Sequence, residues 1–399
     1  MPKVIFLVDM NAFFISCEMT RNDSLIGVPA AVAGDPKKRS GIILAANYEA
    51  RSHGVRTAMV FHDALKRCPG LILVPPDHHF YQQKSQEVMD LLAGFTPILE
   101  QNSIDEAWLD MTGGEGLFGN PGQAAKHIME EIKNRLGLWC SIGIAENKFL
   151  AKMAAEMKKP LGITELRESD IPIKLWPLPV KDMYGIGAKT AEKLGRMGIK
   201  TIGDLAKFDI NLLSGALGEG GRVIHRHANG IDPCAVVART TDDIKSIGRS
   251  TTLPEDVSDI EKARRVLMEL ADDIGMTARS HGKKGRTVHI TLKYSDFRVV
   301  TRQATIPETF TTRDIYQAGY SLLEQNWSRS HPVRLIGISL SGFHGQSAAD
   351  QLSLFDLKEI TVTNDKNERI DNAMDKIRSR HGTGKITFAA LVGKEKDGH

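Results

Sequence analysis

A short apolar segment near the start of the chain ends at an acidic residue. Residues 4–8 are all apolar and rich in β-branched side chains, and Asp9 follows them directly. This pattern is typical of a buried strand. A carboxylate at the end of such a strand is costly to bury without a partner. The sequence therefore predicts a core strand whose last residue must be matched by a cation or by hydrogen-bond donors.

A second acidic pair lies at a predicted bend. Segment 99–111 resembles two short apolar strands that meet near Asp105 and Glu106. Mg²⁺ prefers hard oxygen ligands, and two such ions could activate an attacking hydroxyl and stabilise the leaving oxygen of an in-line phosphoryl displacement. The acids could equally cap turns, because spacing alone does not bring Asp9 and Asp105 together.

The composition restricts the class of protein only loosely. A chain of 399 residues with 41% hydrophobic side chains predicts two to four globular domains. The net charge is +3, so any nucleic-acid argument depends on local clusters. None of the four cysteines forms a C-x-x-C pair, and no stretch reaches the roughly 18 apolar residues that a membrane span needs. We expect a cytoplasmic protein that does not enter a membrane.

The pattern of predicted elements changes along the chain. Mixed strands and helices over 1–165, including a helix over 147–157, predict an α+β core. Short helices with glycine-rich turns follow over 166–238. A helix over 259–280 and alternating strands predict a second α+β domain at 239–345, and 346–399 is predicted to be a tail.

Aromatic and basic residues accompany the acids. Tyr48 and Arg51 are three residues apart at a predicted helix start, so they share a face, and Lys159 follows a second helix. Arginine suits a phosphate because its planar fork can bind two oxygens. A solvated basic surface is the alternative for these residues. Phe13 and Phe14 could both be core side chains.

Two segments are candidates for DNA binding. Gly185 and Gly187 permit a tight turn before a helix whose free backbone N–H groups, with Lys189 in its first turn, could hold a phosphate. From 275 to 302 there are seven Lys or Arg and one acid, which predicts one basic sheet face that follows the phosphates; a solvated edge strand is the alternative. The basic candidates are Arg249, Lys283, Lys284, Arg286, Lys293, Arg298 and Arg302.

Four motifs occur in the order found in one family. Segments 9–14, 46–51, 103–106 and 157–162 resemble the Y-family, translesion DNA polymerases, and the resemblance covers about 1–345. It implies a multidomain α+β fold, the right-hand polymerase: palm and small fingers at 1–165, a helical helix-hairpin-helix thumb at 166–238, and an α+β little finger that binds DNA at 239–345.

The resemblance also implies residue roles. Asp9, Asp105 and Glu106 would ligate two Mg²⁺ ions with the carbonyl of Met10, and Glu106 would lie nearest the primer 3′-hydroxyl. Tyr48, Arg51 and Lys159 would contact the triphosphate, while Phe14, with Phe13 nearby, would collide with a ribose 2′-hydroxyl. Many relatives have Asp where this chain has Asn11, so Asn11 is not expected to be an essential metal ligand.

The implied activity is low-fidelity, template-directed addition of deoxynucleotides to a primer 3′ end, without a proofreading exonuclease. Primer-template DNA and dNTPs are the implied substrates, and we expect a monomer at the nucleoid. A two-metal nuclease and a non-catalytic DNA-binding relative are the alternatives. The nuclease would not need Tyr48, Arg51, Lys159 and Phe14, and the non-catalytic relative would be expected to have lost the acids.

The tail contains a short motif with a possible partner. Gln351, Leu352, Leu354 and Phe355 resemble the peptide by which bacterial polymerases bind the sliding clamp. Gln351 could bond at a pocket rim while Leu354 and Phe355 supply apolar anchors. An edge strand or an intramolecular contact is the alternative.

Overall fold

The apolar segment at the start of the chain forms strand β1, Ile5–Met10, and all six of its residues are buried. The structure is a computed structural model that describes residues 2–35, 41–238, 243–328, 330–343 and 359–391. These residues form two compact units, one up to residue 238 and one from residue 243.

The other strands of the first unit are β2 (Ala30–Ala33), β3 (Ile43–Ala46), β4 (Ile72–Val74), β5 (Leu99–Gln101), β6 (Glu106–Asp110), β7 (Cys140–Ala145) and β8 (Ile163–Glu165). Its α-helices are α1 (Phe13–Met19), α2 (Tyr48–Ser52), α3 (Phe61–Arg67), α4 (His78–Ala93), α5 (Glu115–Phe118), α6 (Pro121–Leu136), α7 (Lys148–Met157), α8 (Ala188–Arg196), α9 (Ile202–Lys207), α10 (Ile210–Leu217) and α11 (Glu219–Ala228).

Strand β1 lies at the centre of a five-stranded sheet of order β5-β6-β1-β7-β8 and is antiparallel to both neighbours. Its side chains alternate between the two faces. Phe6 and Val8 pack into a core with residues of α4 and α6, whereas Ile5 and Leu7 pack with α7. Asp9 has the same parity as Ile5 and Leu7, so its carboxylate points to the α7 side of the sheet.

Helix α7 begins where the sequence predicts. The Asn147 side chain accepts a hydrogen bond from the backbone N–H of Leu150, which satisfies one of the free N–H groups of the first turn. Seven consecutive residues of the helix, 149–155, are buried. Such a helix is inserted into the core and is not a surface helix.

The first unit contains a second, three-stranded sheet of order β3-β2-β4. Its core consists largely of small residues such as Ala31, Ala46 and Ala50. The following helical region, α8 to α11, contains the predicted glycine turn, in which Gly185 has φ +89°. That value lies in the left-handed region, where glycine is the residue without a steric cost.

The second unit is a four-stranded antiparallel sheet of order β11-β10-β12-β9. Its strands are β9 (Ser246–Val257), β10 (Gly285–Tyr294), β11 (Val299–Thr309) and β12 (Val333–Ser341). Its helices are α12 (Ile260–Ser280), α13 (Thr312–Asn326) and α14 (Glu359–His381). Buried residues of α12 and α13 share one core with Val288, Ile290 and Leu292 of β10.

The C-terminal helix α14 is part of this second unit. Arg378 forms a salt bridge to Asp272 of α12 at 2.7 Å, and Arg279 of α12 contacts Asp371 at 3.0 Å and Asp375 at 2.6 Å. Asp371 also accepts a hydrogen bond from the backbone N–H of Thr312. The described part of the predicted tail is therefore packed against the preceding domain. The clamp-like motif at 351–355 lies outside the described residues.

Candidate active site

One cavity collects the residues predicted for metal and nucleotide binding. It has a volume of about 350 Å³ and lies in the first unit. Its lining includes Asp9, Met10, Phe13, Phe14, Tyr48, Arg51, Asp105, Glu106 and Lys159. The sequence motifs that contribute these residues lie up to 150 positions apart, and the fold brings them together.

Strand pairing places two of the acids side by side. Asp9 of β1 is the register partner of Glu106 of β6, and the next residue, Met10, donates its backbone N–H to the Asp105 carbonyl at 2.9 Å. Asp9 and Glu106 are 8% and 9% exposed, so neither carboxylate is freely hydrated. Ser103 Oγ donates to Asp105 Oδ1 at 2.5 Å.

Two lysines neutralise these carboxylates. Lys152 Nζ, from α7, lies 3.1 Å from Asp9 Oδ2 and 2.5 Å from Glu106 Oε2, and Lys159 Nζ lies 2.7 Å from Asp9 Oδ1. Both ammonium groups also contact Glu156. Over the residues that the structure describes, no three His, Cys, Asp or Glu side chains converge closely enough to form a ready metal site. The acids are held by ammonium groups.

Burial and neighbouring charges shift the pKa values of these groups in opposite directions. Burial raises the pKa of the Asp9 carboxyl, and the neighbouring Lys159 and Lys152 offset that effect only in part. Burial lowers the pKa of Lys152, but Asp9 and Glu106 outweigh it and the net shift is upward. Burial also lowers the pKa of Lys159, but Asp9 and Glu156 outweigh it and the net shift is upward. Both lysines are therefore charged at neutral pH.

The cavity is also lined by a tyrosine and an arginine from α2. Tyr48 Oη is buried and has no hydrogen-bond partner among the described residues, and its pKa is raised by burial. Arg51 donates from Nε to the Ala46 carbonyl at 2.9 Å, and its guanidinium lies 4.9 Å from the centre of the Tyr48 ring. A buried hydroxyl without a partner is costly, which indicates a place where a polar ligand binds.

The two adjacent phenylalanines have different surroundings. Helix α1 follows Ala12, whose φ of +49° is unusual for a residue other than glycine. Phe13 is buried in the core. Phe14 stacks on Tyr81 with ring centres 4.5 Å apart, and Tyr81 Oη donates to the buried Glu18 carboxylate at 2.6 Å. The stacked Tyr81 ring therefore restricts movement of the Phe14 ring.

Asn11 has a structural set of hydrogen bonds. Its Nδ2 donates to Ser141 Oγ at 3.0 Å, and its Oδ1 accepts from the backbone N–H of Leu161 at 3.0 Å. These bonds connect the end of β1 to β7 and to the segment after α7.

The candidate phosphate-binding turn precedes α8. The N-terminal residue of this helix has no side-chain cap, and Gly185, Gly187 and Lys189 are exposed. Helix α9 follows α8, and the Thr201 side chain caps its first turn by accepting a hydrogen bond from the backbone N–H of Asp204.

The prediction of one basic sheet face in the second unit is wrong. In the ladder between β10 and β11, Arg302 pairs with the buried Ile290, whereas Lys293 has the opposite parity. Successive residues alternate between faces, so Lys293 and Arg302 lie on opposite sides of the sheet. Local composition cannot reveal this, because face assignment depends on pairing register.

Several of these cations already have partners. Arg249 forms a salt bridge to Asp273 at 2.6 Å, Lys284 contacts Glu368 at 2.7 Å, and Arg302 Nε donates to Asn326 Oδ1 at 3.0 Å. Lys293 and Arg298 lie over the rings of Phe297 and Tyr294, and Lys283 and Arg286 also have partners.

Sequence reasoning missed Lys152 and Tyr81. Lys152 is a lysine within an otherwise apolar stretch of α7, and this exception in the pattern was the available signal. Tyr81 has no local signal, because it reaches Phe14 from a helix more than 60 residues away in sequence.

Comparisons with known proteins agree with this geometry. Residues 8–156 match the impB/mucB/samB family, 168–199 match the IMS family HHH motif, and 244–354 match the impB/mucB/samB family C-terminal domain. The matched HHH motif ends shortly before α9 begins. No helix within the described residues is long and apolar enough to span a membrane.

A solved structure with a similar fold is a Y-family DNA polymerase chimera of Dbh and Dpo4, with a TM-score of 0.77, 26% identity, and coverage of 85% of this chain and 99% of that one. The fold and the sequence thus define the class as a right-hand polymerase of the Y type. The chain is 59% identical over 398 residues to DNA polymerase IV of Alkaliphilus oremlandii (strain OhILAs), which covers 99% of this chain and 100% of that protein.

A second relative, DNA polymerase IV of Clostridium kluyveri, is 57% identical over 402 residues and covers all of both chains. DNA polymerase IV 1 of Bacillus subtilis (strain 168) is 39% identical, with 99% and 94% coverage. The chain therefore belongs to the DNA polymerase IV family.

Proposed function

We propose that this protein is a DNA-directed DNA polymerase that performs translesion synthesis. The reaction is attack of a primer 3′-hydroxyl on the α-phosphorus of a dNTP, which forms the new phosphodiester bond and releases pyrophosphate. The observation that supports it best is that one cavity is lined both by carboxylates and by Tyr48 and Arg51. Binding of a triphosphate requires hydrogen-bond donors for its phosphate oxygens and carboxylates that hold metal ions.

The donor set suits divalent metal ions. Asp9, Asp105 and Glu106 offer hard carboxylate oxygens around one cavity, and Mg²⁺ favours such ligands together with substrate phosphates. We propose that these residues, with the Met10 carbonyl, hold two Mg²⁺ ions. When bound, such ions lower the pKa of the attacking hydroxyl and stabilise charge on the leaving oxygen.

The remaining residues bind and orient the substrate. Tyr48 Oη and Arg51 donate to the triphosphate, and Lys159 exchanges its contact with Asp9 for a phosphate oxygen. Phe14 lies against the sugar as a rigid apolar ring that cannot accept or donate a hydrogen bond. Glu106 lies nearest the primer terminus. Placing reactants in this way supplies much of the rate enhancement in phosphoryl transfer.

The thumb turn at Gly185 and Gly187, with Lys189, and the basic residues of the second unit would hold the DNA backbone without reading its bases. We also propose that the enzyme does not proofread. We also propose that the motif at 351–355 binds a sliding clamp, and that the protein acts as a monomer at the nucleoid.

The first test is Asp105→Ala. It removes one proposed metal ligand, and we expect the rate of nucleotide addition to fall by at least about a thousandfold. DNA affinity should stay within about twofold, because the proposed DNA contacts lie elsewhere. Primer extension and a gel-shift titration on the same preparation measure both quantities.

Asp110→Ala is the matched control. Asp110 lies at the other end of β6 and does not line the cavity, so extension should remain near the parent value. A fully active Asp105→Ala enzyme would refute the metal assignment. Primer shortening by the parent in the absence of dNTPs would favour the nuclease.

A further inference from the structure

Lys152 occupies the space between two proposed metal ligands. Its ammonium contacts carboxylate oxygens of both Asp9 and Glu106, and only 11% of its side chain is exposed. Burial of a charged lysine is unfavourable because the ammonium loses its hydration, and paired carboxylates offset this loss. Lys152 is therefore a counter-ion built into the core of the active site.

The charge balance of the cavity shows why this matters. Its lining holds three carboxylates, Asp9, Asp105 and Glu106, and three cations, Arg51, Lys152 and Lys159, so the formal sum is zero. Glu156 does not line the cavity but contacts both ammonium groups and adds one negative charge. A divalent ion that enters alone therefore meets only a small net negative charge. Substrate changes this balance, because a triphosphate brings negative charge and offers Arg51 and Lys159 new partners.

We propose that Lys152 is a positioning residue that competes with divalent cations for Asp9 and Glu106, and that metal binding displaces its ammonium. The inference depends on the proposed metal site. Lys152 keeps the two carboxylates paired before substrate arrives. It therefore lowers cation affinity in the free enzyme and makes tight metal binding conditional on the nucleotide.

The test measures Mn²⁺ binding to the full-length protein without DNA or nucleotide, with free Mn²⁺ followed by electron paramagnetic resonance. Lys152→Met and Lys152→Gln remove the ammonium, and both should bind Mn²⁺ about tenfold more tightly than the parent. Lys152→Arg keeps the charge and should bind within about twofold of the parent.

Lys148→Met is the matched control for loss of a buried, paired lysine. Lys148 lies one turn earlier on α7 and contacts Glu100 at 2.8 Å, and it does not line the cavity. Its Mn²⁺ affinity should equal that of the parent. Thermal melting gives a second readout, because Mn²⁺ should raise the Tm of Lys152→Met more than that of the parent.

The outcomes separate the two proposals. Equal or weaker Mn²⁺ binding by both neutral Lys152 variants overturns the competition, even if Asp105→Ala abolishes binding. If Asp105→Ala binds Mn²⁺ as tightly as the parent, the measured ion is elsewhere, and both the metal site and the role of Lys152 are wrong. A low Tm of Lys152→Met that Mn²⁺ does not restore indicates a packing role only.

Discussion

At the scale of single residues, Phe14 is held in place by a side chain, Tyr81, that does not itself line the cavity. Its ring is held by stacking on Tyr81, and Tyr81 is in turn anchored by Glu18, which also binds Arg21 at 2.8 Å. Aromatic stacking adds about 0.5–1.5 kcal/mol beyond area burial. A ring held in this way resists the displacement that a 2′-hydroxyl would demand.

We expect Phe14→Ala to raise ribonucleotide incorporation, because removal of the ring opens space beside the sugar. The ratio of kcat/KM for dNTP to that for rNTP should fall by about tenfold or more, since discrimination against one small group in a packed site is worth about 1–3 kcal/mol. Single-nucleotide insertion kinetics with matched dNTP and rNTP give this ratio directly.

The control for Phe14 is Tyr81→Phe, which keeps the stacked ring and removes only the hydrogen bond to Glu18. Its discrimination ratio should stay closer to that of the parent. Unchanged discrimination in Phe14→Ala would mean that the ring is a core side chain and no more.

At the scale of elements, the C-terminal helix α14 is held by ion pairs that are largely buried. The Arg378 and Asp272 side chains are 6% and 13% exposed, and those of Arg279 and Asp371 are 4% and 5% exposed. Removing one member of such a pair leaves a buried charge alone. Helix α14 should therefore be sensitive to single substitutions at these positions.

Arg378→Ala should destabilise the docking of α14 by about 3 kcal/mol, because Asp272 loses its partner in a buried position. Hydrogen exchange of α14 backbone amides should then be about a hundredfold less protected. The control is Arg196→Ala on α8, whose pair with Glu192 is 76% and 65% exposed; exchange in α8 should change little. Equal protection of α14 in Arg378→Ala and the parent would show that the pair does not hold the helix.

Several elements of both units were predictable from local pattern. The strand ending near Asp9, the helix over 147–157 and the helix over 259–280 correspond to β1, α7 and α12. Periodicity and capping residues suffice there because the signals are local. Helix α14 was not assigned, because its charged residues look like a solvated surface until their buried partners on α12 are known.

At the scale of the whole molecule, the arrangement of the cavity could be anticipated only through the family resemblance. Spacing alone gives no distance between Asp9 and Asp105, and the role of Lys152 depends on how α7 inserts beneath β1. The prediction of one basic sheet face was wrong for a related reason. Its charges were counted correctly, but the pairing of β10 with β11 assigns them to different faces.

The clamp proposal is tested by Leu354→Ala/Phe355→Ala in one chain. Basal primer extension should stay near the parent value, because these residues are remote in sequence from the cavity, while stimulation by a loaded sliding clamp should disappear. Processivity on a primed circular template, with and without the clamp, measures both. Leu352→Ala, which retains the two proposed anchors, should keep more of the stimulation; full stimulation of the double variant would place clamp binding elsewhere.

The docked position of α14 has a geometric consequence for any such partner. Phe343 and α14 both belong to the second unit, so the proposed clamp motif lies in the sequence between two parts of the same unit. A sliding clamp bound at this motif would be connected to the second unit through the chain on both sides. Loss of the ion pairs that hold α14 would leave only one of these two connections.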